Sequence, residues 1–526
     1  MDSHLAAERR VAAAAPVSRA MLRALAIVGT LAYVGLVASA YRDYAMDDAY
    51  IGFSYIANLL AGNGMVFAPG NPVEGVTNLG WLLLITPLAA FAGPVAAAKI
   101  AAFVLVLAAL ALVWVAARHL TIDLAARWSG FALLPATALA LTAGTTDFLA
   151  FSMLGMETAL LATLLLAAFA TALDGPRPFA WAVLGAMAFL VHPEAVLVVP
   201  LALALSLHAR AIGRDDAVRC LLVLAALLAA ATATRWIYYG DVLPNTFLAK
   251  PSNGLKIVVH AILYATGKPA NIAEPFTNVF ALALAALGYA VLRRAFPLAA
   301  ALAAAATITG VLFGLYAAPD WTLRGRYFAP YAPLALLLLA LGGLEIARRL
   351  SVQPRSAAVA AAGLVLCVAL PGVLQTFLLI SDATRLAYPG YVMAGSTLVA
   401  PVQWIRDNLP ADATIATRRV GVLGYTAPQA IFDYKFGLND RAVAALIRAH
   451  NTQFDDPRDL ALEALWRERA PDYLLEDGNI IDKIAAGHRD GFRIHGFEYR
   501  VIKTFPVGKD ADWTLAERVT PPRGSP

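Results

Sequence analysis

The sequence predicts a polytopic α-helical membrane protein with about 11 spans, a juxtamembrane helix and a C-terminal α/β domain outside the cytoplasm. Three observations predict it. The 526 residues are 60% hydrophobic and only 15% charged, and the mean hydropathy is +0.66. A soluble domain cannot cover that much apolar side chain. Long apolar runs fill the first 380 residues, and charges become frequent only after them.

The apolar runs fall at roughly 21–41, 96–117, 129–147, 157–173, 179–191, 194–208, 218–236, 275–292, 297–316, 327–347 and 357–380. About 20 apolar residues cross a bilayer. Arg9, Arg10, Arg19 and Arg23 precede the first run, and no small-residue cleavage site follows it. That run is therefore expected as a retained span. The run at 79–91 is short, and it is read as a juxtamembrane or re-entrant helix.

Charge supports that choice. With the N-terminus inside, the cytoplasmic connections carry Arg118 and Arg127, then Arg177, then Arg210, Arg214 and Arg219, then Arg293 and Arg294, then Arg348, Arg349 and Arg355. Each connection obeys the positive-inside rule. Counting 79–91 as a full crossing would invert most of the later ones. The net charge of +5 thus follows from topology, and no nucleic-acid groove is needed to explain it. Both cysteines, Cys220 and Cys367, lie in apolar runs, so no disulfide staples the water-soluble part.

The division expected is 1–380 for the membrane unit and 381–526 for the outer domain. In the latter, 402–409 reads as an amphipathic helix. Residues 413–416, 430–433 and 473–475 read as strands, with a helix near 458–469. Alternating helix and strand points to a small α/β domain.

The same topology places the polar motifs at one outer mouth. A polar cluster at a membrane mouth points to recognition or chemistry there. The first outer loop, 42–95, opens with Met46-Asp47-Asp48-Ala49-Tyr50. A carboxylate there can act as general base on a hydroxyl. An Asp-Asp pair taken alone is more often a helix cap or a solvated loop acid. The rest of this loop shifts the balance: Glu74, Thr77, Asn78 and Trp81 sit in a turn-rich stretch of about 30 residues, and long ordered loops are usually functional.

Glu157 begins a span, where a carboxylate can simply favour the helix dipole. His192-Pro193-Glu194 joins two short spans. The pair could meet phosphate or bind to each other, and one His with one Glu is too few for a metal site. The stretch 235–250 holds Trp236, Tyr239, Asn245, Thr246 and Lys250. An interfacial aromatic belt explains its rings but not Asn245, Thr246 or Lys250, which suit a sugar and a phosphate. Asp320, Trp321, Arg324 and Arg326 open a later span, and arginine suits bidentate phosphate contact. No nucleotide-binding loop or nucleophile elbow appears, so an activated donor used outside the cytoplasm is expected to be lipid-borne.

These features together resemble the GT-C class of membrane glycosyltransferases. The closest pattern is that of bacterial proteins related to mycobacterial terminal β-(1→2) arabinofuranosyltransferases and pilin arabinosyltransferases. The residues that carry it are Asp47-Asp48-Ala49-Tyr50-Ile51, Gly62-Asn63-Gly64-Met65-Val66-Phe67, Glu74-Gly75-Val76-Thr77-Asn78 and Gly155-Met156-Glu157-Thr158. They continue with Tyr239-Gly240, Leu243-Pro244-Asn245-Thr246-Phe247, Asp320-Trp321, Arg326-Tyr327, Trp404-Ile405-Arg406-Asp407-Asn408-Leu409-Pro410 and Gly421-Val422-Leu423-Gly424-Tyr425. One departure is His192, where relatives usually carry arginine.

The resemblance implies a transferase in the bacterial cytoplasmic membrane. It would move D-arabinofuranose from a decaprenyl- or undecaprenyl-type phosphate to an envelope glycan or a protein such as arabinan or pilin. A mannosyl- or aminoarabinosyltransferase of the same class is the alternative. Asp47 is the first candidate for base and Asp48 the second. Lys250, Arg326 and His192 would meet the donor phosphate. Tyr50, Glu74, Asn78, Trp81, Glu157, Glu194, Tyr239, Asn245, Thr246, Asp320 and Trp321 would line the substrate. No metal ligand set or cofactor is implied, and a divalent cation is left open. A flippase for lipid-linked sugars would put charges at mid-membrane and show inverted repeats, and the sequence has neither. A non-catalytic assembly subunit would survive loss of both aspartates.

Overall fold

The computed structural model describes residues 19–249, 279–317, 326–350, 359, 361–365, 389–506 and 512–519. Among them, five helices are long and apolar enough to cross a membrane: Arg23–Ala40, Pro94–Arg127, Arg214–Tyr239, Pro297–Ala317 and Ala329–Arg349. A sixth span is formed if Ser129–Gly144 and Asp147–Met153, bent by 55°, are one crossing. Thr158–Leu173, Pro178–Val191, Pro193–His208 and Ala281–Leu292 are apolar but shorter. The described residues thus form a helical membrane unit with about five full-length spans, beside the about 11 expected from the sequence. Most of the run at 357–380 lies outside the described residues.

Two short helices build the mouth. Leu79–Ala92 has 14 residues and carries Pro87. At 1.5 Å per residue it is about 21 Å long, too short for a bilayer core of ~30 Å. It buries Trp81, Leu82 and Ile85, while Leu83, Leu84 and Phe91 are exposed. The second, Asp47–Leu60, is a helix inside the stretch 42–95 that was read as the first outer loop. Ile51, Tyr55 and Ile56 are buried beside Phe53, and the turn residues Gly62, Gly64 and Gly70, all with positive φ, come only after this helix.

Close helix packing inside the membrane unit rests on glycine. Val279–Leu292 crosses Ala332–Arg349 at Gly288 and Gly342. A Cβ on Gly288 would lie 1.8 Å from the Leu338 carbonyl oxygen, and one on Gly342 would lie 1.9 Å from that of Leu284. Lipid supplies no hydrophobic drive between helices, so backbone approach of this kind carries the packing.

The C-terminal sheet domain has six strands: β1 (Thr414–Thr417), β2 (Ala430–Asp433), β3 (Tyr473–Asp477), β4 (Phe492–Ile494), β5 (Phe497–Pro506) and β6 (Asp512–Arg518). The order is β2-β1-β3-β6-β5-β4. β1 pairs in parallel with β2 and β3, and the rest pair antiparallel. Strand side chains alternate between faces. Ala416, Leu474 and Ala516 therefore join the core around Trp466, Tyr434 and Ile447. Ile415, Leu475 and Leu515 join the other core, with Leu398, Val402 and Ile405 of helix Pro389–Asn408. That helix extends the expected 402–409 by more than three turns. The first three strands and the helix Glu463–Arg469 fall where the sequence placed them.

Candidate active site

One network joins five of the sequence motifs. Asp48 is the second residue of the helix Asp47–Leu60. It accepts a hydrogen bond from Arg326 Nη1 at 2.6 Å, with 32% of its side chain exposed. The Arg326 charge also acts on Glu157 and lies 5.5 Å from the Tyr327 ring centre. Glu157 Oε2 accepts from Asn78 Nδ2 at 2.7 Å, and its Oε1 faces His192 Nε2 at 2.8 Å. His192 Nδ1 lies 2.5 Å from Glu194 Oε1, which also accepts from the Tyr331 hydroxyl at 3.4 Å. Trp81 donates to the Gly155 carbonyl at 3.1 Å. Gly155, at φ +89°, packs on Phe53 and Ala49, which fixes Glu157 beside the first-loop helix. Asn78 Oδ1 is buried without a hydrogen-bond partner.

His192 was expected to meet a donor phosphate. Both of its ring nitrogens are instead engaged by carboxylates, which leaves neither for phosphate or for a metal in this arrangement. Among the described residues no group of three His, Cys, Asp or Glu side chains is arranged to hold a metal ion.

Asp47 has different surroundings. It is only 4% exposed. Its Oδ1 accepts from the Val422 amide at 2.9 Å and its Oδ2 from the Gly421 amide at 3.3 Å. Both amides belong to the helix Gly421–Thr426 of the C-terminal domain. Burial pushes the Asp47 carboxyl up to about 6, against the pull of the Val422 amide and the Arg419 charge. Tyr50, one turn on, packs against Tyr425 of the same domain, with ring centres 5.7 Å apart. Asp47 therefore caps an element of the other domain, and Asp48 is the more open of the two.

Glu74, Tyr239, Asn245 and Thr246 gather at a second place, the seam between the first loop and the C-terminal domain. Arg235 Nε donates to Glu74 Oε2 at 2.5 Å in full burial. The Asn245 amide donates to the Glu74 carbonyl at 2.8 Å, and Asn245 Nδ2 donates to the carbonyls of Gly437 at 2.6 Å and Leu438 at 2.9 Å. The Tyr55 hydroxyl bonds the Val73 carbonyl at 2.7 Å and Asn439 Oδ1 at 2.9 Å. Tyr239 donates to the Met65 carbonyl at 2.8 Å. Arg441 pairs with Asp241 at 2.8 Å and also donates to the Tyr239 carbonyl. Glu74 Oε1, Asn245 Oδ1 and Thr246 Oγ1 are buried without partners. Lys250, Asp320, Trp321 and Arg324 lie outside the described residues.

Sequence reading took in Arg235 only as the first residue of the stretch 235–250, without a partner, and it passed over Tyr331, Arg418 and Arg441. Arg235 carried a signal, since an arginine near the end of an apolar run demands a counter-charge. Arg418 Nε sits 2.8 Å from Glu476 Oε2 beside the Tyr434 hydroxyl, a pairing across 58 residues with no local mark.

Comparison with known proteins gives partial likenesses. Residues 391–521 match a family model described as a domain of unknown function (DUF8728). A terminal beta-(1->2)-arabinofuranosyltransferase of Mycobacterium tuberculosis is 33% identical over 236 residues, which cover 41% of this chain and 36% of that protein. The chain thus matches about a third of that relative's length. Over that part, it is similar to an arabinofuranosyltransferase.

Proposed function

We propose that the chain is a membrane glycosyltransferase using a polyprenyl-phosphate sugar donor, with D-arabinofuranose the preferred sugar. The acceptor is a cell-envelope glycan or protein at the outer face of the cytoplasmic membrane. The observation that carries this reading is the pair Asp48–Arg326, partly open to solvent and within reach of Glu157. A base beside a guanidinium suits a reaction that needs proton removal and phosphate departure together. The partial likeness to an arabinofuranosyltransferase supports the sugar.

On this reading Arg326 exchanges Asp48 for the donor phosphate. The freed Asp48 carboxylate takes the acceptor hydroxyl proton. The acceptor oxygen bonds the anomeric carbon, and the bond from that carbon to the phosphate oxygen breaks. Polyprenyl phosphate leaves, and the anomeric centre inverts. Asn78 and Glu157 position hydroxyls of the sugar. The C-terminal domain, outside the cytoplasm, holds the acceptor side.

Asp47 offers a second reading of the base. A carboxyl near 6 is well matched to proton removal near neutrality, although both of its oxygens are engaged by amides. Asp48→Asn and Asp47→Asn, assayed beside wild type with polyprenyl-phosphoryl arabinofuranose, separate the two. Loss of turnover with an unchanged melting curve in Asp48→Asn supports the first reading. Full turnover in both variants would falsify the catalytic role of this loop. No transfer by wild type from any lipid-linked sugar rejects the glycosyltransferase reading.

A further inference from the structure

Lys99 is the only lysine ahead of Lys250, in a stretch whose other fixed cations are arginines. It sits in the second turn of the span Pro94–Arg127 and is half-buried. Neither the proton transfer nor the phosphate contact proposed above uses it. A charge inside an apolar helix is costly, so it should be matched by what faces it. Here backbone faces it. The Lys99 ammonium donates to the Tyr41 carbonyl at 2.9 Å and to the carbonyls of Tyr44 and Met153. An ammonium has three donors, and each of these carbonyls takes one.

The three carbonyls belong to two segments that lead to the site. Tyr41 and Tyr44 follow the first span, Arg19–Ala40, and precede the helix Asp47–Leu60. Met153 is the last residue of the helix Thr146–Met153, and Glu157 comes four residues after it. Lys99 therefore stands at the C-terminal ends of two helices, where open carbonyls and the helix dipole both favour a cation. The two segments stay together beyond it. The Met46 amide donates to the Leu154 carbonyl at 3.0 Å, and Gly155 packs on Ala49 and Phe53 of the helix that carries Asp48.

A simple helix cap needs one of these ends. An ammonium bound to both fixes how far apart they are. Carbonyls converging from different directions suit a compact ammonium better than a planar guanidinium fork, which accounts for lysine at this one place. We propose that Lys99 is a positioning residue for the transfer reaction. By holding the Tyr41, Tyr44 and Met153 carbonyls, it sets the placement of Asp48 relative to Glu157, and it touches neither sugar nor phosphate. The inference rests on the glycosyltransferase reading above.

The test is steady-state transfer by the full chain in detergent, with polyprenyl-phosphoryl arabinofuranose as donor. Lys99→Met keeps the length of the side chain and removes the ammonium. A misplacement of about 1 Å can cost about 10²-fold, so kcat should fall on that order with KM for the donor little changed. The decisive readout is the cycle with Asp48→Asn. Groups that act as a unit are non-additive, so Lys99→Met should cost little more once Asp48→Asn is in place. Gly342→Ala, at the crossing of two other helices, is the stability control, expected to melt earlier with kcat unchanged. An unchanged kcat in Lys99→Met overturns the proposal. So does an equal loss on the wild-type and Asp48→Asn backgrounds, since Lys99 would then act apart from Asp48. A raised donor KM at constant kcat overturns it too, because Lys99 would then meet the donor. If Lys99→Met does not fold, Lys99→Gln, which keeps a donor without the charge, takes its place in the cycle. If neither folds, Lys99 is a strut of the fold and the proposal falls. No transfer by wild type, or full turnover in Asp48→Asn, sinks the underlying reading instead.

Discussion

Asp47 and Val422 are 375 residues apart in sequence, yet the Asp47 carboxylate accepts the Val422 amide at 2.9 Å. Gly421 permits this approach: a Cβ there would stand 1.8 Å from the Asp47 carbonyl oxygen. Gly421→Ala should therefore force the two domains apart at this point, at a cost of about 1–3 kcal/mol. A fall in melting temperature in detergent checks it. An unchanged melt would mean that the seam shifts without strain.

The buried carboxyls of Asp47 and Asp433 give a pH signature. Each is pushed from its ordinary range up to about 6 by burial, against the amides that bond it. The folded state thus holds these protons more tightly than the unfolded chain. Their stabilisation is fully present below about pH 4, is lost as pH rises through 6, and is constant above that. Asp433→Asn should flatten the pH 4–6 portion of the melting curve relative to wild type. The difference is at most on the order of 2–3 kcal/mol. A variant whose curve parallels that of wild type would show that Asp433 titrates normally.

The fold was legible where a local pattern reports burial. β1, β2 and β3 are short runs between turn residues; β1 and β3 are buried on both faces, and β2 is buried at Phe432 and Asp433. β5 was not legible, because Phe497–Pro506 mixes Glu498, Arg500 and Lys503 into an only partly buried strand. The helix Asp47–Leu60 was hidden by the glycines that come after it. At the site, the expected topology grouped Asp48, Glu157, His192 and Arg326 before any contact between them was known. Which of them pair is a tertiary fact: Arg326 reaches Asp48 across 278 residues, and no spacing rule encodes that.

The Arg235–Glu74 pair is fully buried. Breaking a buried pair leaves an uncompensated charge, typically at 3–5 kcal/mol. Arg235→Met should therefore lower the melting temperature more than the double change Arg235→Met with Glu74→Gln. A double-mutant cycle on thermal unfolding measures this. Equal losses in the single and double variants would mean that solvent reaches Glu74 once Arg235 is gone.

Gly288 and Gly342 face the carbonyls of Leu338 and Leu284 at distances where a methyl group cannot fit. Gly342→Ala should separate the two helices, costing about 1–3 kcal/mol. Gly363→Ala, with no atom within 4 Å of the added carbon, is the matched control. Similar melts for the two variants would show that the crossing relaxes freely.

Arg326 binds Asp48 at 2.6 Å, and Arg326 is the more buried partner, with 14% of its side chain exposed. If it exchanges partners when the donor arrives, the two residues should fail in different ways. Asp48→Asn removes the base and should lower kcat by about 10²–10⁴ with KM for the donor little changed. Arg326→Gln removes a phosphate contact and should raise KM for the donor. It should also weaken inhibition by the product polyprenyl phosphate, by about tenfold for each 1.4 kcal/mol of charge-assisted bonding lost. Arg326→Lys keeps the charge but not the fork, so it should restore only part of the binding. If Arg326→Gln instead lowers kcat alone and leaves product inhibition intact, Arg326 serves to hold Asp48 and the phosphate lies elsewhere.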